Sequence, residues 1–325
     1  GLGDTNNRGA NSSEMGDNLT VIDLGSGRTA TAIAAGSQHT CAILDNASIK
    51  CWGANASGQL GLGHTNNRGD GLNQMGDNLT AVDLGTGRTA KAIAAGYQHT
   101  CVILDNESVK CWGLNDKGQL GIGINSGSNV KMGDGSGEMG DSLPAVDLGS
   151  GRTAKAISAG YQHTCVILDN ASVNCWGNGL SGQLGRGENK TEKSPKSDPI
   201  DLGSGRNAKA IVTGNSHTCV MLDNSSTKCW GLNDKGQLGI GSNSGSNLKM
   251  GDGSGEMGDS LLSIDLGTGK TARAISAGDS HTCAILDNSS IKCWGANASG
   301  QLGLGHTNNR GDNSSEMDNL PSISL

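Results

Sequence analysis

Ten cysteines stand in five pairs, and each pair has the same spacing and the same neighbours. In every pair the tripeptide His-Thr-Cys is followed by Cys-Trp-Gly. The pairs are Cys41 and Cys51, Cys101 and Cys111, Cys165 and Cys175, Cys219 and Cys229, and Cys283 and Cys293. Disulfide formation and metal binding are the two kinds of chemistry that this pattern suits.

The residues between two paired cysteines predict a β-hairpin. If the hairpin is centred on Asn46, Cys41 lies opposite Cys51, and both side chains project to one face of the sheet. Directly opposed residues of antiparallel strands have Cα atoms about 4.5 to 5.5 Å apart, a distance that a disulfide tolerates. We therefore predict five cross-strand disulfides, each contributing roughly 2 to 3 kcal/mol by loop closure, in an oxidising compartment.

Zinc is the alternative, because His39, Cys41 and Cys51 share one face of the predicted hairpin and zinc accepts that ligand set. Zinc modules usually have more closely spaced cysteines, and ten free thiols would suit a reducing cytosol. We therefore prefer disulfides, and we interpret the histidine as a strand-end residue whose ring bonds to a neighbouring turn.

The cysteine pairs belong to a repeat of roughly 60 residues, a period typical of propeller blades. The motif Gly-Gln-Leu-Gly closes each unit, with its Gln at 59, 119, 183, 237 and 301. Each unit predicts four short strands separated by Gly, Asp and Asn turns, and the first unit places them at Val21–Leu24, Thr31–Ala35, His39–Leu44 and Ile49–Trp52. The fold class is therefore all-β, a β-propeller, and we predict no helix.

We predict a single repeat domain over 1–325, with five units and an extra partial repeat. The units are approximately 1–60, 61–120, 121–184, 185–238 and 239–302, and 303–325 repeats the start of the chain. The loop and first strand thus occur six times and the other three strands five times. One terminal strand is surplus for a ring of five, so an open or intermolecularly completed array is the alternative.

The repeat resembles that of the regulator-of-chromosome-condensation (RCC1-like) family. The residues that carry the resemblance are Ala34–Leu44, Ile49–Asn55 and Gly58–Gly63, with the equivalent residues of the other units. The resemblance implies a β-propeller, commonly of seven blades, with strands from both ends in one blade. This chain has five units, paired cysteines that the nuclear members lack, and Asp/Asn/Gly-rich loops such as Thr65–Asn78.

Family members include a guanine-nucleotide exchange factor, domains beside ubiquitin-ligase or kinase modules, and a secreted inhibitor of β-lactamases. Of these members, only the secreted inhibitor is the kind of protein that a disulfide-containing acidic chain suits. We therefore expect a non-enzymatic extracellular or cell-surface scaffold that associates with copies of itself. The alternative is a secreted module that binds or inhibits another extracellular protein, and nucleotide exchange ranks third. Trp52 and its equivalents are candidate anchors for such a partner. We prefer the interpretation that they pack within the blades, because a Trp next to a Cys is expected to be buried.

Five asparagines at the hairpin tips begin Asn-x-Ser sequences, the acceptor pattern for N-glycosylation. They are Asn46, Asn106, Asn170, Asn224 and Asn288. The alternative is that Asp-Asn-x-Ser simply forms a turn, as it would in any compartment.

Carboxylates recur in the Gly-rich loops, and calcium is the cofactor that such oxygen-rich loops favour. The candidate ligands are Asp70, Asp77, Asp134, Glu138, Asp141, Asp252, Glu256 and Asp259. Their spacing does not follow the EF-hand loop, and solvated polar loops look much the same.

Charge and composition exclude other classes of function. The formal net charge is −7, and Lys and Arg are scattered, which argues against a nucleic-acid partner. The sequence offers no apolar stretch of the roughly 18 residues that a bilayer requires, so we expect no membrane insertion. It begins with Gly1 rather than Met and shows no leader, so we expect a processed product or a fragment. The sequence contains neither a nucleophile elbow nor a metalloprotease motif, so we expect no enzyme and assign no catalytic residue.

Overall fold

The computed structural model describes residues 1–11 and 13–323, and it is an all-β fold with five separate antiparallel sheets. Each sheet contains three consecutive strands in chain order. The first strands are Ala30–Ala35, Ala90–Ala95, Ala154–Ala159, Ala208–Thr213 and Ala272–Ala277. The second strands are His39–Leu44, His99–Leu104, His163–Leu168, His217–Leu222 and His281–Leu286. The third strands are Ile49–Gly53, Val109–Leu114, Val173–Gly177, Thr227–Leu232 and Ile291–Gly295.

The register of the hairpin is the predicted one. Cys41 lies opposite Cys51, and Ile43 lies opposite Ile49. All ten cysteines form disulfides within their own hairpins, with Cα atoms 4.1 Å apart and no free cysteine. Because every thiol is consumed in this way, the zinc alternative has no thiolate ligand.

The tip of each hairpin is a tight turn with one residue in the left-handed region. In the first hairpin Ala47 has φ 60°, its N–H donates to the Leu44 carbonyl, and the Leu44 N–H donates to the Ser48 carbonyl. A turn followed by a left-handed residue closes a hairpin whose strands twist to the right. This turn sets the register that brings the two cysteines together.

The predicted first strand, Val21–Leu24, is wrong: these residues form no strand. In later repeats the equivalent segment contacts the third strand of the preceding hairpin, as where the Val82 N–H donates to the Ile49 carbonyl at 2.9 Å. One isolated bond does not make a ladder, because the Gly-rich loop on either side carries the chain away.

This pairing also changes the interpretation of the partial repeat at 303–325. Ile323 forms an antiparallel bridge with Ile291 of the last sheet. The segment therefore lies against the last third strand rather than being surplus. Its final residues, Ser324 and Leu325, lie outside the described part of the chain.

Short elements in the loops were not predicted. Single 3₁₀ turns occur at Gly16–Asn18, Gly76–Asn78, Gly127–Val130, Gly140–Ser142, Gly245–Leu248 and Gly258–Ser260. Lys131–Met132 and Lys249–Met250 add a short fourth strand to the second and fourth sheets. The structure contains no α-helix over 1–11 and 13–323, and none of its helical turns is long and apolar enough to cross a membrane.

The contacts divide the chain into two compact units, 1–116 with 126–145 and 117–125 with 146–325. In the first, Leu44, Trp52 and Leu79 form an apolar cluster. In the second, Trp230 and Trp294 each lie within a larger cluster. The single-domain organisation and the closure of a ring stay predictions.

The disulfides should contribute measurably to stability. Replacing both Cys165 and Cys175 by Ala should lower the free energy of unfolding by about 3 kcal/mol, because an 11-residue loop is no longer closed in the unfolded chain. Denaturant titration followed by tryptophan fluorescence measures this difference. The wild-type chain under the same conditions is the reference, and a loss below about 0.5 kcal/mol would contradict the loop-closure argument.

Candidate functional site

A buried polar structure forms the joint between consecutive repeats. The Gln59 carbonyl accepts two hydrogen bonds from the next repeat, from Thr100 Oγ1 at 2.8 Å and from Trp112 Nε1 at 3.0 Å. The same Thr100 Oγ1 lies 2.9 Å from His39 Nε2. The joint therefore connects the His of one repeat to the Thr and Trp of the next through a buried carbonyl.

The arrangement of donors fixes the tautomer of His39. A hydroxyl has one proton, and Thr100 uses it toward the Gln59 carbonyl, so His39 Nε2 must donate to Thr100 Oγ1. His39 Nδ1 then carries the lone pair, and it is buried without a hydrogen-bond partner. A protonated ring would carry a second N–H at Nδ1, and that N–H would have no acceptor. Burial disfavours this charged form and lowers the pKa of His39 to about 4.

The second unit repeats this joint. His163 Nε2 lies 3.0 Å from Thr218 Oγ1, and His217 Nε2 lies 2.9 Å from Thr282 Oγ1. The Gln183 carbonyl accepts hydrogen bonds from Thr218 and Trp230, and the Gln237 carbonyl accepts them from Thr282 and Trp294. The Gln119 carbonyl likewise accepts bonds from Thr164 and Trp176. Trp112, Trp176, Trp230 and Trp294 are thus structural donors, and all five tryptophans are buried, which removes them as exposed protein-binding anchors.

The Gly-Gln-Leu-Gly motif has a structural explanation that the sequence alone did not supply. Gln59 Oε1 accepts the Ser57 N–H at 2.9 Å, which folds the loop back and turns the Gln59 carbonyl toward the joint. A Cβ on Gly61 would lie 2.8 Å from Trp112 Nε1, and Gly61 also has φ +68°. Glycine at this position therefore admits the indole of the next repeat.

A second set of contacts connects the same repeats nearer the surface. Lys50 Nζ donates to the carbonyls of Leu24 and Gly76, and Lys110 and Lys228 repeat this arrangement. The Ser26 hydroxyl donates to Asp77 Oδ2 at 2.6 Å. Each lysine thus fixes the 3₁₀ turn of the next repeat to the loop before its own sheet.

The third repeat departs from this arrangement. Asn174 stands where the other repeats have lysine, and Arg186 stands where they have Leu or Ile. The Arg186 guanidinium donates to Asn174 Oδ1 and to the Asp198 carbonyl. The two exchanges therefore compensate each other, since the cation lost from the strand is supplied from the loop.

Open clefts lie beside these joints, and each is lined by a Gly-Gln-Leu-Gly loop and the Gly-rich loop of the next repeat. In the first unit, a cleft of about 440 Å³ is lined by His64, Thr80 and Asp83. In the second unit, a cleft of about 550 Å³ is lined by Arg186, Lys196 and Ser254, and one of about 300 Å³ by Leu262 and Asp318. The backbone frame is shared while the lining side chains differ.

Most of the candidate calcium ligands already have protein partners. Asp77, Asp141 and Asp259 accept hydrogen bonds from Ser26, Thr86 and Ser204, and these bonds lower the pKa of each carboxyl group. Glu138 and Glu256 accept two and three backbone N–H bonds respectively within their own loops.

The remaining candidates lie at the same loops. Asp70 is exposed, Asp252 donates its backbone N–H to Glu256, and burial beside Glu138 raises the pKa of Asp134. Within residues 1–11 and 13–323, no three His, Cys, Asp or Glu side chains are grouped as metal ligands. Calcium binding stays a prediction, and the loop carboxylates have the structural role of organising backbone N–H groups.

The buried histidines predict a pH dependence of stability. Burial lowers the pKa of His39 and His217 to about 4 and that of His99 to about 3, whereas an unfolded histidine has a pKa near 6.5. Below pH 6.5 the unfolded chain therefore binds more protons than the folded chain. The free energy of unfolding should fall as the pH drops from 6.5 toward 4, by about 1.4 kcal/mol per pH unit for each such histidine, and should be constant above 6.5.

Denaturant titrations between pH 4.5 and 7.5 measure this dependence. Replacing His217 by Gln removes one titrating ring and should reduce the slope by about one proton, even if the variant is less stable throughout. An unchanged slope in this variant would contradict the assignment of a neutral ring at the joint.

The exchange in the third repeat predicts strong coupling between two positions. Arg186→Leu alone leaves Asn174 without its cation, and Asn174→Lys alone places two cations together. The double variant restores the residues of the other repeats, so the two losses should not add, and we expect a coupling of about 1 to 3 kcal/mol. A double-mutant cycle of unfolding free energies measures it, and additivity within about 0.5 kcal/mol would refute the compensation.

Comparison with known proteins identifies the repeat. A model described as the Regulator of chromosome condensation (RCC1) repeat matches residues 30–59, 90–119, 154–183, 208–237 and 272–301. A second model with the same description matches 108–167 and 171–221.

The curated relatives are similar over most of this chain. The ultraviolet-B receptor UVR8 of Arabidopsis thaliana is 26% identical over 311 residues, which are 95% of this chain and 63% of the receptor. The human E3 ubiquitin-protein ligase HERC2 is 26% identical over 225 residues, which are 69% of this chain and 4% of the ligase. The chain thus spans less than two thirds of the length of either relative.

Solved structures show the same fold. Yeast RCC1 (Prp20), in its crystal structure with Kap60, superposes with a TM-score of 0.68 at 19% identity, over 92% of this chain and 62% of that one. This likeness shows the shared fold, and the repeat matches in all five sheets show that the chain belongs to the regulator of chromosome condensation (RCC1) repeat family.

Proposed function

We propose that this chain is an extracellular, non-enzymatic module that binds another protein through the clefts between its repeats. The observation that carries the proposal is the constant frame of these clefts with different side chains in each. One cleft contains Arg186 and Lys196, whereas another contains Leu262 and Met317. A rigid frame with variable lining is the arrangement by which repeat proteins present binding surfaces.

The extracellular location is supported by the cysteines. All ten are paired, and disulfides persist in oxidising compartments. Nine of them are almost completely buried, so they stabilise the sheets rather than exchange with external thiols.

A non-enzymatic role is supported by the position of three of the seven histidines. His39, His163 and His217 are buried and donate to Thr side chains of the next repeat. A general base must reach the proton that it removes from a substrate, and a ring enclosed in this joint has no access to one.

A second candidate function is a self-associating scaffold. One exposed segment favours it: Ile22 is 38% exposed, whereas Val82, at the equivalent position of the second repeat, is 6% exposed and bonds to the preceding hairpin. A strand edge of another copy would provide Ile22 with the partner that Val82 already has. Light scattering separates the two functions, because a mass that grows with protein concentration supports the scaffold and a constant monomer mass contradicts it.

Cleft variants test the binding function. Thr80, Ser254 and Leu262 are exposed and line the three clefts, so replacing each by Arg obstructs one cleft without changing a buried contact. With the partner enriched from the fluid into which the chain is secreted, we expect one of these variants to weaken binding at least about tenfold, or 1.4 kcal/mol.

The matched control is Ser289→Arg, which adds the same side chain at an exposed hairpin tip. This variant should bind as the wild type does. If all three cleft variants bind the partner with unchanged affinity, the clefts are not the binding surface and the proposal fails.

A further inference from the structure

The five hairpin tips share an acceptor sequence that the repeat joint does not use. Each tip reads Asp-Asn-x-Ser, and each of the five asparagines is exposed. They are Asn46, Asn106, Asn170, Asn224 and Asn288. The tips lie at the same end of each hairpin, away from joint residues such as Thr100 and Trp112, which are paired at the other end of their hairpin.

The turn uses the side-chain oxygen Oδ1 of each asparagine but not the nitrogen Nδ2. Asn46 Oδ1 accepts the Ser48 N–H at 3.2 Å and the Ser48 hydroxyl at 2.7 Å. The other four tips repeat both bonds within 0.1 Å. Asn46 Nδ2 has no hydrogen-bond partner in the part of the chain that the structure describes.

An aspartate would satisfy the same turn, because its carboxylate oxygen accepts the same two bonds. The turn therefore explains Oδ1 of each tip asparagine and leaves Nδ2 without a structural purpose. Nδ2 is the atom that N-glycosylation modifies, and the Ser two residues later completes the acceptor sequence.

Two other asparagines with an acceptor sequence provide a contrast within the same fold. Asn55 is fully buried, its Nδ2 donates to the carbonyls of His64 and Asn66, and its Oδ1 accepts the Leu60 N–H. Asn297 has the same bonds in the last repeat. A glycan on either Nδ2 would remove these bonds. The structure therefore distinguishes two groups of acceptor sequences: the tip asparagines, which are exposed, and Asn55 and Asn297, whose Nδ2 is used in hydrogen bonds within the fold.

We propose that Asn46, Asn106, Asn170, Asn224 and Asn288 are N-glycan acceptors. In each, Nδ2 forms a bond to the anomeric carbon of a lipid-diphosphate-linked oligosaccharide, the lipid diphosphate leaves, and the Nδ2 proton passes to the base of the host transferase. The proposal rests on the proposed extracellular location, because the chain must meet the transferase in the secretory pathway. The five glycans would extend from the exposed hairpin tips.

The test uses the full chain secreted from a eukaryotic host behind a heterologous signal. Enzymatic release of N-glycans converts each occupied Asn to Asp, and peptide mass mapping locates every conversion. We expect conversion at the five tip asparagines and none at Asn55 or Asn297.

Two variants provide matched controls. Asn46→Asp keeps the oxygen that the turn needs and lacks Nδ2, so it should lose one glycan while it is secreted as the wild type is, with all ten cysteines paired. Ser48→Thr keeps the acceptor sequence and should keep the glycan.

Two outcomes would overturn the proposal in distinguishable ways. A secreted product with ten paired cysteines and no conversion at the five tips overturns the glycan proposal alone. A product that is retained in the cell with free thiols overturns the extracellular location and the glycan proposal with it.

Discussion

The joint between repeats depends on a single buried backbone carbonyl. The Gln59 carbonyl receives a hydroxyl and an indole N–H from the next repeat, and both donors are almost entirely removed from water. A buried donor or acceptor without a partner costs about 1 to 3 kcal/mol, so the loop, the Thr and the Trp must keep their relative positions together. Each bond is modest alone, but the three groups satisfy one another only as a set.

This constraint explains why the repeat motif extends over three separate stretches of sequence. The Gly-Gln-Leu-Gly loop presents the carbonyl, the His-Thr-Cys strand provides the hydroxyl, and the Cys-Trp-Gly strand provides the indole. The disulfide between Cys101 and Cys111 joins the two strands that carry Thr100 and Trp112. It therefore holds both donors of one joint in register, and the oxidising compartment that it implies follows from the same geometry.

The surface contacts are more tolerant than the joint. In the third repeat, Asn174 and Arg186 replace a Lys and an apolar residue, and the polar contacts are rebuilt from the other side. The exchange is accommodated because the cleft beside Arg186 is open to solvent, so a longer side chain displaces water rather than packed atoms. The same openness allows the cleft lining to vary, which is the basis of the proposed binding function.

Local sequence determined the hairpins. Strand alternation and the tip sequence set the register at Asn46, and the register alone brings Cys41 opposite Cys51, because all of these contacts lie within a few residues of each other along the chain. The repeat motif also identified the family, and the sheet order follows from it. The bounds of His39–Leu44 were predicted without error for the same reason.

Only the tertiary structure decided what lies between repeats. The sequence placed a strand at Val21–Leu24, whose equivalents make a single bond to the preceding hairpin, and it left no role for Gln59 or Lys50. It also suggested a calcium ligand at Asp77, which instead accepts the Ser26 hydroxyl. The contacts of Lys50, Gln59 and Asp77 join residues 26 to 53 positions apart, and no local pattern specifies which loop a side chain will meet once the sheets pack.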